Sequence, residues 1–428
     1  MSEQRQRTVI VGAGFAGLWA AKTLAGAPID VVVVDRNNYH SFFPLLYQVA
    51  AAELEPGDIA YPVRTILRRQ DNAYFKLAEV QGLELDRKVV LTNTGPVPYE
   101  YLILGLGSTT QYFGVDGAED HAFSLRTLDE AVALRNHILR SFEAAEHAAD
   151  MSERSRHLTF AIVGGGPTGV EFAGALQELI NGPIAKDHHR IDPADVSVIL
   201  VEASPGLLSI YPDRLAAYAR RRLTKMGVDV RTEMEVTAVD ASGVALGDGT
   251  RIDSSTVVWT AGVGGDPIVA GWGLPTSKGG RVPVLSTLQL EGYPEVFVTG
   301  DLALPQAAGP MIAQNALQQG TQAARNILHL LADEAPQPYK YHDLGNMAVI
   351  GRNAAVVHLR SRWAFKGFPA WVMWLTVHLF KLIGFRNRAA AVLSWTGDYL
   401  FGDRTARVIL EQAGSGTRGD SNPQTSDM

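Results

Sequence analysis

The chain of 428 residues contains no cysteine. That excludes a redox-active dithiol, and with it any oxidation of sulfide or of a disulfide that needs a thiolate able to attack and leave. Thiolate-held zinc, iron–sulfur centres and structural disulfides are excluded for the same reason. Acidic residues are missing locally. Between Leu344 and Gly397 there is no Asp or Glu, while Arg352, Arg360, Arg362, Lys366, Lys381, Arg386 and Arg388 make that stretch +7. The whole chain carries −7, from 38 basic against 45 acidic residues, so the remainder holds −14. The polar start, Met1 to Arg7, has no apolar signal core, and a cytosolic protein is expected.

Two glycine-rich turns stand out among what is present. Gly12-Ala-Gly14-Phe-Ala-Gly17 follows the apolar run Thr8 to Val11, and Gly164-Gly-Gly166-Pro-Thr-Gly169 follows Leu158 to Val163. At a strand-to-helix turn the first glycine permits the tight bend and the second lets a pyrophosphate approach the backbone. The third packs helix on strand, and the helix N-terminus faces the anion. Two such units imply two nucleotides and electron transfer between them. Asp35 closes the strand Ile29 to Val34, 18 positions after Gly17, where a carboxylate accepts ribose hydrogen bonds. Glu202 closes Val196 to Val201, 33 positions after Gly169, with the polar insert Asn181 to Asp195 accounting for the longer spacing. A carboxylate there binds a free 2′-hydroxyl and repels a 2′-phosphate, so NADH is expected over NADPH.

The basic stretch also holds Trp363, Trp371, Trp374 and Trp395 and the 18-residue apolar segment Phe368 to Phe385, interrupted by His378 and Lys381. Aromatic and basic residues flanking an apolar helix suit an anionic membrane surface. The segment is short for a span, and His378, Lys381 and Arg388 at helical spacing predict one polar stripe on a helix lying in the interface. A buried homodimer helix is the alternative; dense Leu, Trp and Phe argue against nucleic acid. His188 and His189 lack a ligand pattern that would make a metal site, and none is expected.

The fingerprints, together with Tyr99-Glu-Tyr-Leu-Ile-Leu-Gly-Leu-Gly-Ser108, Trp259-Thr-Ala-Gly-Val263 and Val296-Phe-Val-Thr-Gly-Asp301, resemble the two-dinucleotide flavoprotein superfamily. Phe43-Pro-Leu-Leu-Tyr-Gln-Val49, Ala313-Gln-Asn-Ala-Leu-Gln318 and the Trp- and Arg-rich C-terminal segment narrow the resemblance. They are similar to type II NADH:quinone oxidoreductase, the single-chain, membrane-associated respiratory dehydrogenase. The resemblance runs from about Thr8 to Leu410 and implies an α/β fold of two Rossmann-like domains with a C-terminal amphipathic-helix module. It implies FAD on Gly12, Gly14, Gly17, Asp35, Gly300 and Asp301, and NADH on Gly164, Gly166, Gly169 and Glu202. Glu171 resembles the carboxylate near nicotinamide and flavin; Gln314 and Gln318 resemble the pair lining the quinone pocket. Where relatives have Ala-Thr-Gly, this chain has Gly105-Leu-Gly107.

The implied reaction takes two electrons from NADH to a membrane quinone without proton pumping, at the cytoplasmic face of the cell membrane. The expected division is a FAD domain of residues 1–115 and 267–335, an NADH domain of 116–266, a membrane-associating module of 336–412 and a disordered tail of 413–428. A soluble NADH-dependent flavin reductase serving a small redox protein, and a non-enzymatic redox sensor, remain the alternatives. Gln314 and Gln318, four apart, share a helix face and offer amide donors and acceptors to carbonyl oxygens, as an exposed polar face also would.

Overall fold

Four successive valines, Val31 to Val34, have no polar alternation and must be covered on both faces, which calls for a parallel sheet between helices. The computed structural model, which describes residues 5–307, 309–359, 362–401, 404 and 406–410, places them so. All four are fully buried. The chain opens with strand β1 (Arg7–Val11), helix α1 (Phe15–Thr23) and β2 (Asp30–Asp35). After helix α2 (Leu46–Ala50) come β3 (Ala73–Leu77) and β4 (Tyr101–Leu104).

The second unit comprises β5 (Phe123–Ser124), α3 (Leu128–His147), β6 (Thr159–Val163) and α4 (Pro167–Leu179), then β7 (Ser197–Val201), β8 (Asp229–Arg231) and β9 (Thr256–Trp259). The chain then returns with β10 (Gln289–Leu290), β11 (Tyr293–Val298) and α5 (Ala313–Leu331). The first sheet runs β10-β11-β4-β1-β2-β3 and the second β5-β9-β6-β7-β8, parallel except where β10 meets β11. In each sheet the fingerprint strand, β1 or β6, has neighbours on both sides, so its loop opens at the carboxyl edge where α/β sheets bind ligands.

Helix α5 returns across α1 so closely that a Cβ on Gly320 would lie 2.0 Å from the Ala16 carbonyl oxygen. Residues 333–345 then run without helix or strand to a three-stranded antiparallel sheet of β12 (Asn346–Val349), β13 (Ala355–Leu359) and β14 (Trp363–Gly367). The sequence reading did not anticipate this sheet. Two helices follow, α6 (Phe368–Lys381) and α7 (Phe385–Phe401).

The expected single polar stripe is therefore not formed. Gly384, at φ +90°, breaks the helix, and a Cβ there would meet the Tyr61 ring at 2.4 Å. Arg388 sits on the other helix and donates back to the carbonyls of Leu382 and Phe380, at 2.8 and 2.9 Å, closing the end of α6. His378 does not face outward with Lys381; its ring stacks on Trp374 at 4.2 Å and meets Phe42 edge-on. Asn387 fixes the start of α7 by donating to the carbonyls of Gly57, Asp58 and Ala60, each at 3.0 Å. Among the described residues no helix is long and apolar enough to cross a membrane. The tail expected at 413–428, with Arg360, lies outside the described residues.

Replacing Gly320 by Ala should force α1 and α5 apart and cost about 1–3 kcal/mol. A fall in the thermal or urea midpoint checks it.

Candidate active site

The two glycine turns share one backbone plan. Gly12 and Gly164 have φ +101° and +109°, and a Cβ would strike the Gly105 carbonyl oxygen at 2.4 Å or the Ala261 nitrogen at 2.7 Å. Gly17 and Gly169 lie against the carbonyls of Gly12 and Gly164, so their helices start tight on the strands. Gly14 and Gly166 differ from these: nothing lies within 4 Å of where a Cβ would project. Both are N-caps without a side-chain cap, whereas α3 is closed by the Thr127–Glu130 capping box. Unsatisfied helix N–H groups beside open space form an anion site, and a pyrophosphate fits each.

The strand-end acids repeat the symmetry. Asp35 accepts from the amides of Ala13 at 2.6 Å and Asn37 at 2.7 Å, and Glu202 from Gly165 at 2.5 Å and Ser204 at 2.7 Å. Each carboxylate thus holds its glycine loop at the edge where a ribose would lie. Burial raises the Asp35 pKa against those amide bonds. His40 bonds the Ala13 carbonyl through Nδ1 at 3.0 Å, its buried Nε2 has no partner, and burial lowers its pKa to about 4. The carboxylate of Asp301 accepts from Ser108 at 2.7 Å and lies 3.6 Å from Arg126. The Gly300 amide donates to Gln319 Oε1 at 2.7 Å. Gly105 leaves 3.4 Å between a notional Cβ and Thr299 Oγ1, so the departure there removes no close contact.

Glu171 lies in the second turn of α4, 8% exposed, and accepts from the Val349 amide at 3.1 Å. Burial raises its pKa to about 8. It lines a cavity of about 390 Å³ walled by Tyr47 and Gln48 of α2, Ala175 and Glu178 of α4, and aromatic side chains of α6 and α7. Phe368, Trp371 and Tyr399 stack in a row along the surface, with ring centres 5.7 and 6.0 Å apart, and Trp371 and Tyr399 line the cavity. The Trp395 indole donates to Gln48 Oε1, and Gln48 to the Tyr47 hydroxyl.

Gln314 and Gln318 are not in this wall. Gln314 donates to the Gly345 carbonyl and accepts from the Leu344 amide; Gln318 does both with His342. Their shared face, legible from the spacing, clamps the segment that leads into β12 and so to Val349.

Sequence reasoning missed the acids beside Glu171. Glu53, Glu178 and Asp398 line the cavity, and Arg404, which is fully buried, pairs with Glu53 at 2.8 Å and with Glu178 and Asp398 at 3.5 Å each. One signal was available: Glu171 and Glu178 are seven apart and share a face of α4. Burial raises the Glu53 pKa to about 7 against the Arg404 guanidinium.

Residues 6–320 match the pyridine nucleotide-disulphide oxidoreductase family and residues 343–404 the NDH2 C-terminal domain. Type II NADH:quinone oxidoreductase NdhA of Mycobacterium tuberculosis is 39% identical over 425 residues, 95% of this chain and 90% of that protein. A Staphylococcus aureus type II NADH:quinone oxidoreductase is 31% identical over 83% of this chain and 90% of its own length. The structure of NDH2 from Plasmodium falciparum in complex with NADH superposes with a TM-score of 0.88 at 17% identity, covering 95% of this chain and 100% of that one. A sulfide:quinone oxidoreductase of Aquifex aeolicus does so at 0.72 and 16%, covering 92% and 95%. At such identities the two structures speak for the fold.

Glu171 keeps its proton in the folded chain up to about pH 8, whereas the unfolded chain releases it near 4.5. Native stability therefore falls as pH rises through that window. Glu171→Gln should match the parent's unfolding free energy near pH 5 and exceed it at pH 8.5 by on the order of a few kcal/mol, read from urea titrations at the two pH values.

Proposed function

Because the chain belongs to the type II NADH:quinone oxidoreductase family, we propose that it oxidises NADH and reduces a membrane quinone, with FAD as its resident cofactor and no proton transport. The observation that carries this reading is the aromatic cavity, whose wall includes the buried Glu171, five residues after Gly166, the N-cap of α4. FAD is assigned to the first turn, held by Gly12, Gly14, Gly17, Asp35, Gly300 and Asp301. Bound there, it would accept hydride from a dihydronicotinamide and give two electrons to a quinone.

The chain's own residues do the rest. The open end of α4 at Gly166 receives the NADH pyrophosphate, and Glu202 repels a 2′-phosphate. The quinone ring enters along Phe368, Trp371 and Tyr399, which offer stacking faces at the mouth. Glu171, protonated at neutral pH, can donate a hydrogen bond and then a proton to a quinone oxygen. Gln314 and Gln318 position residues 342–345, and through β12 the Val349 amide that orients Glu171.

The C-terminal hairpin supports a membrane-surface location. Trp363, Phe368, Phe380, Phe385 and Leu393 are more than half exposed, among the exposed cations Lys366, Lys381 and Arg386. Apolar and cationic residues on one module fit an anionic bilayer interface at the cytoplasmic face. A reductase for a small soluble redox protein would have no use for this face.

Anaerobic NADH should bleach a yellow protein, and a quinone should restore the colour. Persistence of the colour under NADH, or restoration by ferricyanide but not by any quinone, overturns the reading. Thr376→Trp, in the cavity wall, should suppress quinone reduction at least tenfold while NADH still bleaches the flavin. Glu202→Ala should narrow the preference for NADH over NADPH by roughly tenfold, measured as the ratio of kcat/KM. Vesicles containing anionic lipid should sediment the protein, and 0.5 M salt should release part of it.

A further inference from the structure

Reduction of a quinone to a quinol consumes two electrons and two protons. NADH delivers two electrons and one proton as hydride, so each turnover draws one proton from solvent: NADH + H⁺ + quinone → NAD⁺ + quinol. If the ring is enclosed in the cavity, that proton must cross the cavity wall. The wall holds more acid than its cations can neutralise. Glu53, Glu171, Glu178 and Asp398 supply four carboxyl groups, and among the described residues the guanidiniums paired with them are those of Arg352 and Arg404.

Full ionisation would leave two uncompensated charges in a poorly hydrated site, at several kcal/mol each. Burial accordingly raises the pKa of Glu53, Glu171 and Glu178, which favours the protonated form of each. The set also grades outward: side-chain exposure is 33% for Arg352, 21% for Glu178, 16% for Asp398 and 11% for Glu53, while Glu171 is 8% exposed overall. Arg404, at 1%, touches three of the four acids and anchors itself on the carbonyls of Ala51 and Ala175. At the inner end the buried Nε1 of Trp374, in the same wall, faces the Glu171 carboxyl and helps to hold it.

We propose that Glu178 and Glu53, bridged by Arg404 and Asp398, conduct the solvent proton to Glu171 and so to the quinone oxygen. The proposal rests on the cavity being the quinone site. Glu171 gives its proton to the reduced ring and becomes a carboxylate; Glu53 reprotonates it, Glu178 reprotonates Glu53, and the partly exposed rim at Arg352 and Asp398 takes the replacement from solvent. The cavity is wide enough for water to bridge the gaps between carboxyls. The hydroxyls of Tyr47 and Tyr211 also face these acids, and burial keeps them protonated.

The test uses the full-length holoenzyme with menadione as the quinone and ferricyanide, which takes electrons without protons, as the reference acceptor. Glu178→Gln and Glu53→Gln should lower the ratio of menadione to ferricyanide turnover roughly tenfold at pH 8 and less at pH 6. They should also enlarge the solvent deuterium effect, and added small weak acids such as acetic acid should restore turnover. A merely structural role would move neither the isotope effect nor the rescue. Should Glu53→Gln unfold by weakening the pairing of Arg404, Glu178→Gln and Asp398→Asn decide. A parental acceptor ratio, pH profile and isotope effect in these variants, with quinone reduction blocked by Thr376→Trp, would overturn the relay and leave the cavity standing. Unchanged quinone reduction in Thr376→Trp would overturn both.

Discussion

One guanidinium joins three parts of the chain that are far apart in sequence. Arg404, beyond the end of the C-terminal hairpin, donates to the Ala51 carbonyl after α2, to the Ala175 carbonyl inside α4 and to the carboxylate of Glu53. Stripping water from a guanidinium is expensive, and the cost is offset only where acceptors and opposite charge lie close; the two terminal nitrogens find both, while Nε, without a hydrogen-bond partner, faces Asp398 at 3.5 Å. Here the acceptors come from the first nucleotide unit, the second unit and the C-terminal module at once. The burial of this charge is therefore satisfied only when all three are docked, which makes it a determinant of assembly as much as of stability.

The acids gathered around it follow from the same constraint. Glu53, Glu178 and Asp398 are tolerated inside because Arg404 and Arg352 face them, and the cavity they line is walled elsewhere by aromatic rings. The two glycine turns belong to another logic. They need no charged side chain at the anion, since backbone N–H groups and the absence of a Cβ at Gly14 and Gly166 suffice. Binding of nucleotides is thus assigned to backbone, and handling of protons to side chains of separate elements that meet only in the folded chain.

This division explains what could be read in advance. Gly12, Gly14, Gly17 and Asp35, and their counterparts Gly164, Gly166, Gly169 and Glu202, act within single strand-turn-helix units, so spacing along the chain reports their geometry. The cavity does not behave that way. Its wall joins Glu53, Glu171, Arg352 and Asp398, which no local periodicity connects. Gln314 and Gln318 show the converse: their common face was legible, but what it meets, the backbone of residues 342–345, is a tertiary fact. The C-terminal hairpin was read as one helix because hydropathy is continuous across Leu382 to Phe385. The break is made by a single glycine and by Arg388 reaching back.

That break has a mechanical consequence. Gly384 is seated on the Tyr61 ring and Asn387 is tied to three carbonyls of residues 57–60, so the hairpin is riveted to the first nucleotide unit and cannot swing as a flap. On the proposed reading the bilayer and the cavity keep a fixed separation throughout turnover. The oxidant's ring must then climb out of the lipid while its tail stays behind, and the height of that climb, set by the rivet, becomes a selection on tail length and flexibility.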